Sequence, residues 1–181
     1  MYSIKFQIFL TMRNFRNQVV FVLILTITAL SGSWAQSYEK GDKLLNAGIG
    51  LGTYGAGGIG LGGSFEVGVH EAISVGVLAG YSGKNYFGAR WSVLTVGARG
   101  SYHFNELLSL SDDKVDFYGG IGLGYRSITW NYNGSRNDSW GSGVSFLGHV
   151  GGRYYLKPNM GVFAEVGSGF GTLQAGLTVK F

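Results

Sequence analysis

The stretch IGLGGSFEVGV, residues 59–69, alternates between two kinds of position. Its odd-numbered positions are apolar or glycine, whereas its even-numbered positions are glycine, serine or, at residue 66, glutamate. A period of two places successive side chains on opposite faces of a β-strand. We therefore predict a strand with one apolar face and one face that is polar or very small.

The same alternation occurs eight times along the chain, and we find no amphipathic helix. Most of these segments reach the roughly 9–11 residues that a tilted strand needs to cross a bilayer, and exceed the strand length of about 5–6 residues common in soluble proteins. The predicted strands cover residues 45–51, 59–69, 73–81, 94–104, 115–125, 144–156, 160–166 and 173–181.

The second face of these strands decides which side of the sheet meets lipid. It carries glycine, histidine and seven charged residues, namely Glu66, Arg99, Asp116, Arg126, Arg153, Glu165 and Lys180. A soluble barrel would place its apolar face inside, whereas a membrane barrel places polar side chains inside. An open sheet edge in hydrocarbon would leave backbone groups unpaired, so the sheet must close. We predict an all-β, eight-stranded antiparallel up-and-down transmembrane β-barrel.

The N-terminal residues have the pattern of a signal peptide. The run VVFVLILTITAL, residues 19–30, is shorter than the roughly 20 residues of a membrane-spanning helix. Arg13 and Arg16 precede it, and Ser33 and Ala35 occupy the positions that a signal peptidase reads. We expect residues 1–35 to be removed, with Met12 as a possible true start, and residues 36–181 to form the barrel domain.

The charge and the cysteine content exclude several classes of site and partner. The chain has no cysteine, which excludes disulfides, thiolate metal sites and cysteine nucleophiles. Lys5, Arg13 and Arg16 lie in the predicted signal peptide, and without them eleven of the 14 basic residues face ten acidic ones. A nearly neutral body lacks the basic stripe that nucleic acids require. We predict no nucleic-acid partner, no metal and no cofactor.

The lengths of the connections alternate, which places both termini on the periplasmic side. Residues 70–72 and 157–159 are tight turns, whereas 82–90 and 131–143 are longer polar loops. Segment 105–114 is long for an inner turn. The outer loops offer an exposed set for surface interactions: Trp130, Tyr132, Arg136 and Trp140. Aromatic residues near strand ends, such as Tyr81, Trp91 and Tyr154, indicate two interfacial girdles.

The last nine residues, LQAGLTVKF, end in alternating apolar positions at Leu177, Val179 and Phe181. With its eight predicted strands, the chain resembles the small eight-stranded outer-membrane β-barrels of Gram-negative bacteria, the OmpA/OmpX-like group with an outer membrane protein β-barrel domain. The resemblance implies a monomer in the cell outer membrane, in contact with lipid and lipopolysaccharide. It also implies that the three terminal positions form a signal for the outer-membrane assembly machinery.

An eight-stranded barrel has an interior that side chains just fill. We therefore expect a plugged, charge-paired lumen and a structural or surface-interaction role, not an enzyme. We predict an inner layer of Glu66, Arg99, Arg153 and Glu165, because an unpaired buried charge costs several kcal/mol. A three-residue turn at 158–160 would set Arg153 directly opposite Glu165.

Two alternatives remain open. Inward glycines, among them Gly60, Gly62 and Gly122, subtract side-chain volume and would permit a narrow porin-like channel for small solutes. Lipid A acyltransferase and deacylase barrels share the architecture and use His with Ser or Asp. However, His103 and His149 lie on different strands, and no Ser/His/Asp set converges at the outer rim by spacing.

Overall fold

The computed structural model describes residues 38–52, 58–86, 89–110, 112–132, 135–137 and 141–181. Within these ranges the chain forms nine β-strands: β1 Lys43–Leu51, β2 Ile59–His70, β3 Ile73–Tyr86, β4 Ala89–His103, β5 Val115–Tyr132, β6 Ser135–Asn137, β7 Gly143–Lys157, β8 Met160–Gly167 and β9 Leu173–Lys180. The predicted signal peptide lies outside the described residues. The described part of the chain contains no helix long and apolar enough to span a membrane.

The strands form one closed antiparallel barrel. Neighbours follow the order β4-β3-β2-β1-β9-β8-β7-β5, and a further β4–β5 ladder closes the cylinder. The three-residue strand β6 pairs only with the end of β5, beyond the stretch where β5 pairs with β7. Eight long strands therefore make the wall, and the predicted up-and-down fold is confirmed.

The two faces of the wall have opposite chemistry, as the alternation predicts. Outward side chains are apolar and exposed: Ile121, Val144 and Phe146 are 78%, 78% and 87% exposed. Inward side chains include charges with almost no exposure, such as Asp116 at 0% and Arg153 at 1%. Exposing this much apolar surface is favourable only in an apolar surrounding, so the inside-out arrangement suits lipid and not water.

The barrel has two unlike ends. At what we call the terminus end, β1 begins, β9 ends, and two-residue turns connect β2 to β3 and β7 to β8. At the opposite end, the loop end, β3, β4 and β5 are longer than the sequence predicts and project beyond their neighbours. Their cross-strand pairing continues to Tyr86↔Ala89 and Ala89↔Tyr132. This extension forms a three-stranded lobe above one side of the wall.

One predicted register is wrong. The turn after β7 contains two residues, Pro158 and Asn159, and a bulge lies between Tyr155 and Lys157. Because a bulge places an extra residue on one strand, the pairing beyond it shifts. Arg153 consequently lies opposite Phe163, and Glu165 lies opposite Gly151. The expected Arg153–Glu165 cross-strand pair does not form.

The exposed aromatics follow the rims with one exception. Tyr102, Phe117, Tyr154 and Phe181 are 42–46% exposed near the terminus end. Trp91, which we expected in the outer girdle, is only 7% exposed because it has the inward parity of β4. Its ring lies 6.0 Å, centroid to centroid, from that of its cross-strand partner Trp130. This pair belongs to the mouth of the barrel and not to the lipid boundary.

Candidate functional site in the barrel lumen

An arginine lies at the centre of the lumen in the half nearer the terminus end. Arg153 donates from Nη2 to Glu66 Oε1 at 2.9 Å and from Nη1 to Asp116 Oδ2 at 2.7 Å. Its Nε donates to Asn46 Oδ1 at 3.2 Å, and its guanidinium lies 4.0 Å from the ring centroid of Tyr118. Each side of the group thus has a partner, which a fully buried charge requires.

A second arginine joins the same cluster from β4. Arg99 makes a bidentate pair with Glu165, with Nη1–Oε1 at 3.2 Å and Nη2–Oε2 at 2.8 Å, and its Nη2 lies 3.4 Å from Glu66 Oε1. Glu165 also accepts from the Tyr118 hydroxyl at 3.2 Å and from Gln174 Nε2 at 3.3 Å. Planar guanidinium and carboxylate groups match each other in this geometry, which is the stronger form of ion pair.

His103 joins the cluster through contacts with Asp116 and Ser74. Its Nδ1 lies 2.7 Å from Asp116 Oδ1, and its Nε2 lies 3.0 Å from Ser74 Oγ. The Ser74 hydroxyl donates its single hydrogen to Glu66 Oε2 at 2.9 Å, because an ionised carboxylate only accepts. Asp116 therefore lies between the His103 ring and the Arg153 guanidinium, and the cluster joins Arg99 and Arg153 to the carboxylates of Glu66, Asp116 and Glu165.

Ser74, His103 and Asp116 are the residue types of a hydrolase triad, but their hydrogen bonds run the wrong way for catalysis. A nucleophilic serine gives its proton to histidine, whereas Ser74 gives its proton to Glu66. Ser101 likewise donates to Glu66 Oε2 at 2.6 Å while lying 2.9 Å from His149 Nε2. Ser74 is also 0% exposed. This arrangement supports packing of the lumen and not acyl transfer.

Tyr38 covers the cluster at the terminus end. Its ring stacks on His103 with a centroid separation of 3.4 Å and an interplanar angle of 6°. Its hydroxyl donates to the backbone oxygen of Ile73 at 2.6 Å and lies 3.0 Å from that of His70. Burial, together with the nearby Asp116, raises the pKa of Tyr38. The residue precedes the first strand, so no alternation pointed to it.

The other half of the lumen is filled by the connection between β8 and β9. Phe170 in this segment is 4% exposed. A Cβ atom on Gly62 would lie 2.5 Å from the Phe170 ring, and one on Gly171 would lie 2.6 Å from the backbone of Gly50. Thr172 N also donates to the oxygen of Leu51 at 2.9 Å. The space that these inward glycines leave is therefore occupied by the segment 168–172.

The remaining predicted site residues lie elsewhere. Arg126 lies opposite Thr95, toward the loop end. Lys180 lies at the terminus end, 3.5 Å from Asp42 and 5.3 Å from the ring centroid of Tyr155. Of the seven predicted lumen charges the structure thus brings together five, Glu66, Arg99, Asp116, Arg153 and Glu165. Within the described ranges no group of three or more His, Asp and Glu side chains is arranged to hold a metal ion.

The predicted surface and terminal residues occupy the two ends. Trp130 is 43% exposed at the mouth of the lumen. The backbones of Tyr132 and Arg136 lie on β5 and β6, and Trp140 is outside the described residues. Leu177 and Phe181 are 56% and 46% exposed on the outer wall, and Val179 lies opposite Leu45 of β1. The C-terminal strand therefore pairs with the first strand of the barrel.

Solved structures with a similar fold are small outer-membrane barrels. Neisserial surface protein A (NspA) matches with a TM-score of 0.56 and 17% identity, over 77% of this chain and 96% of its own. The N-terminal β-barrel domain of Pseudomonas aeruginosa OprF matches with 0.57 and 15%, over 80% and 100%. P. aeruginosa outer membrane protein OprG matches with 0.58 and 13%, over 82% and 99%.

No protein-family model and no curated protein matches the chain. At 13–17% identity, the three structures establish the fold alone. The chain has the fold of the small eight-stranded outer-membrane β-barrels.

Proposed function

We propose that the chain is an integral outer-membrane barrel with a structural or surface-interaction role and a lumen that does not conduct. The observation that carries this proposal is that both halves of the lumen are occupied. The side chains of Glu66, Arg99, Asp116, Arg153, Glu165 and His103 occupy the terminus half, and the Phe170 segment occupies the loop half. A solute would have to displace both.

The orientation and partners follow from the two ends of the barrel. The short turns support a periplasmic terminus end, and the longer loop end would face the cell exterior. The backbones of Phe181 and Lys43 pair through Phe181 N–Lys43 O at 2.9 Å, so Leu177, Val179 and Phe181 lie along the junction with β1. This supports a role as the signal for the outer-membrane assembly machinery. The apolar wall would contact lipid and lipopolysaccharide, and the barrel would be a monomer.

The structure favours a non-enzymatic role. The serines nearest the two buried histidines donate to Glu66 and are 0–2% exposed, so neither has the proton acceptor or the access of a nucleophile. The loop-end mouth instead presents Trp130, which is 43% exposed, and the polar lobe of β3–β5. These are features of a surface that contacts other molecules.

Fractionation and conductance test the proposal together. We expect the full chain in the outer-membrane fraction, with faster gel mobility before boiling than after, and no steady current when it is inserted in a planar bilayer. Stable single-channel steps at a defined unit conductance would replace the proposal with the narrow-pore alternative. Recovery in the periplasmic soluble fraction without detergent would contradict membrane insertion itself.

A further inference from the structure

The outward face of the β3–β5 lobe changes chemistry over three successive rows of cross-strand neighbours. The first row is Tyr81–Leu94–Ser127, the second is Gly83–Ser92–Thr129, and the third is Asn85–Arg90–Asn131. The row before them, Ala79–Val96–Tyr125, is apolar apart from one phenol. The edge of the lipid-facing band therefore crosses this part of the wall at Tyr81 and Leu94.

Arg90 returns toward that edge instead of pointing away from it. Its Cα lies four residues, or roughly 13 Å along the strand, beyond the first row. Its side chain nevertheless lines the same two surface grooves as Tyr81, close enough to interact with the Tyr81 hydroxyl. A long cationic side chain that lies along the wall holds its guanidinium near the phenol, at the depth where lipid headgroups begin.

Two shallow grooves meet at this point. One, of about 380 Å³, is lined by Tyr81, Arg90 and hydroxyl and amide side chains that include Thr129 and Asn131. The other, of about 460 Å³, adds Lys84 and Asn85, with Ile59 and Leu61 at its lower edge. The two linings contain two cations and no carboxylate. Ile59 and Leu61 in the second groove are 66% and 65% exposed, and Leu94 in the first is 48% exposed, so each groove opens onto lipid-facing surface.

We propose that these joined grooves bind the phosphate of an anionic lipid from the leaflet around the loop end. Arg90 donates charge-assisted hydrogen bonds to the phosphate, hydroxyl and amide groups such as Ser92 and Asn131 hold the headgroup, and acyl chains lie against Ile59, Leu61 and Leu94. A zwitterionic headgroup carries its own cation to this cationic site and binds less well. The inference depends on the proposed membrane insertion.

Native mass spectrometry of the folded full chain in non-ionic detergent tests the site. The chain is mixed with either dimyristoylphosphatidylglycerol or dimyristoylphosphatidylcholine, and the retained lipid is counted. We expect preferential retention of phosphatidylglycerol and a loss of about fivefold or more in Arg90→Gln, since a charge-assisted hydrogen bond is lost. Lys157→Gln, which removes an exposed cation at the terminus end, should leave retention unchanged.

Each contrary result has a separate meaning. Equal retention of the two lipids, or an Arg90→Gln variant that retains phosphatidylglycerol like the wild type, would overturn the site while membrane insertion stands. Inorganic phosphate supplies the competing source: if it binds at Arg90 and the anionic lipid adds nothing, free phosphate is the ligand and the lipid proposal is wrong. Should Arg90→Gln fail to show the unboiled gel shift, the salt dependence of wild-type retention decides, because screening must weaken an ionic contact. A wild-type chain that shows no shift contradicts the proposed function first.

Discussion

The two halves of the lumen are filled by different kinds of group. The terminus half is filled by long charged side chains whose partners come from strands far apart in sequence, such as Arg99 with Glu165 and Arg153 with Glu66. The loop half is filled by a connecting segment that enters space left by glycines. The terminus half is therefore blocked by paired charges, whereas the loop half is blocked by a segment whose shape fits the space.

The charged half should be the more sensitive to a single change. Arg153→Met removes a cation that serves Glu66, Asp116 and Asn46 together. Breaking a buried ion pair by removing one partner costs about 3–5 kcal/mol, because the other charges stay buried. Urea unfolding in detergent micelles, followed by tryptophan fluorescence, measures the loss. Lys157→Met is the control for removing a surface cation, and a loss in Arg153→Met no larger than in this control would show that the cluster contributes little.

The shape-filled half should lose less stability and still block the lumen. Phe170→Ala empties the niche between Gly62 and Gly80 and should cost about 3 kcal/mol by the same unfolding measurement. We expect no steady current from this variant in a planar bilayer, since the ion-paired layer below is intact. Channels that open in Phe170→Ala but not in Arg153→Met would show that the Phe170 segment alone closes the barrel, and the comparison between the halves would have to be reversed.

The sequence predicts the wall better than its contents, for a physical reason. Alternation fixes which side chains point inward, so the inward positions of Glu66 and Arg153 follow from parity alone. The bulge after Tyr155 leaves no mark in the alternation and shifts the pairing of β7 with β8. Contacts across the lumen, such as Arg99 to Glu165, join strands that are not neighbours and depend on stagger around the whole barrel.

Alternation does not predict the positions of residues outside the strands. Phe170 and Tyr38 are both buried aromatics in stretches without a period, so pattern reasoning gave neither a position. The glycines did carry a usable signal. Inward positions such as Gly50, Gly62 and Gly80 lie together on one side of the barrel. Such a concentration of missing side chains indicates that something other than a side chain of the wall fills that volume.

A methyl group added to the niche tests this interpretation directly. Gly62→Ala would place Cβ 2.5 Å from the Phe170 ring and 2.7 Å from the backbone oxygen of Ala79, and should cost about 1–3 kcal/mol through overpacking. Gly148→Ala is the matched control, since nothing lies within 4 Å of its added Cβ atom. In a Phe170→Ala background the cost of Gly62→Ala should fall. An unchanged cost in that background would mean that strand conformation, and not the ring, requires glycine at this position.

The smallest loss of stability is expected for Tyr38, the aromatic residue that covers the charged half. Tyr38→Phe keeps the ring stacked on His103 but removes the hydroxyl that donates to Ile73 O. One net hydrogen bond is worth about 1 kcal/mol, and we expect a loss of that size, with Tyr125→Phe on the exposed wall as the control. Tyr38→Ala should cost more, because His103 would also lose the ring that stacks on it. If instead the two Tyr38 variants lose the same amount, the ring contributes nothing and the charged half is closed by its ion pairs alone. The shape-filled half would then be the only one that depends on an aromatic residue from outside the strands.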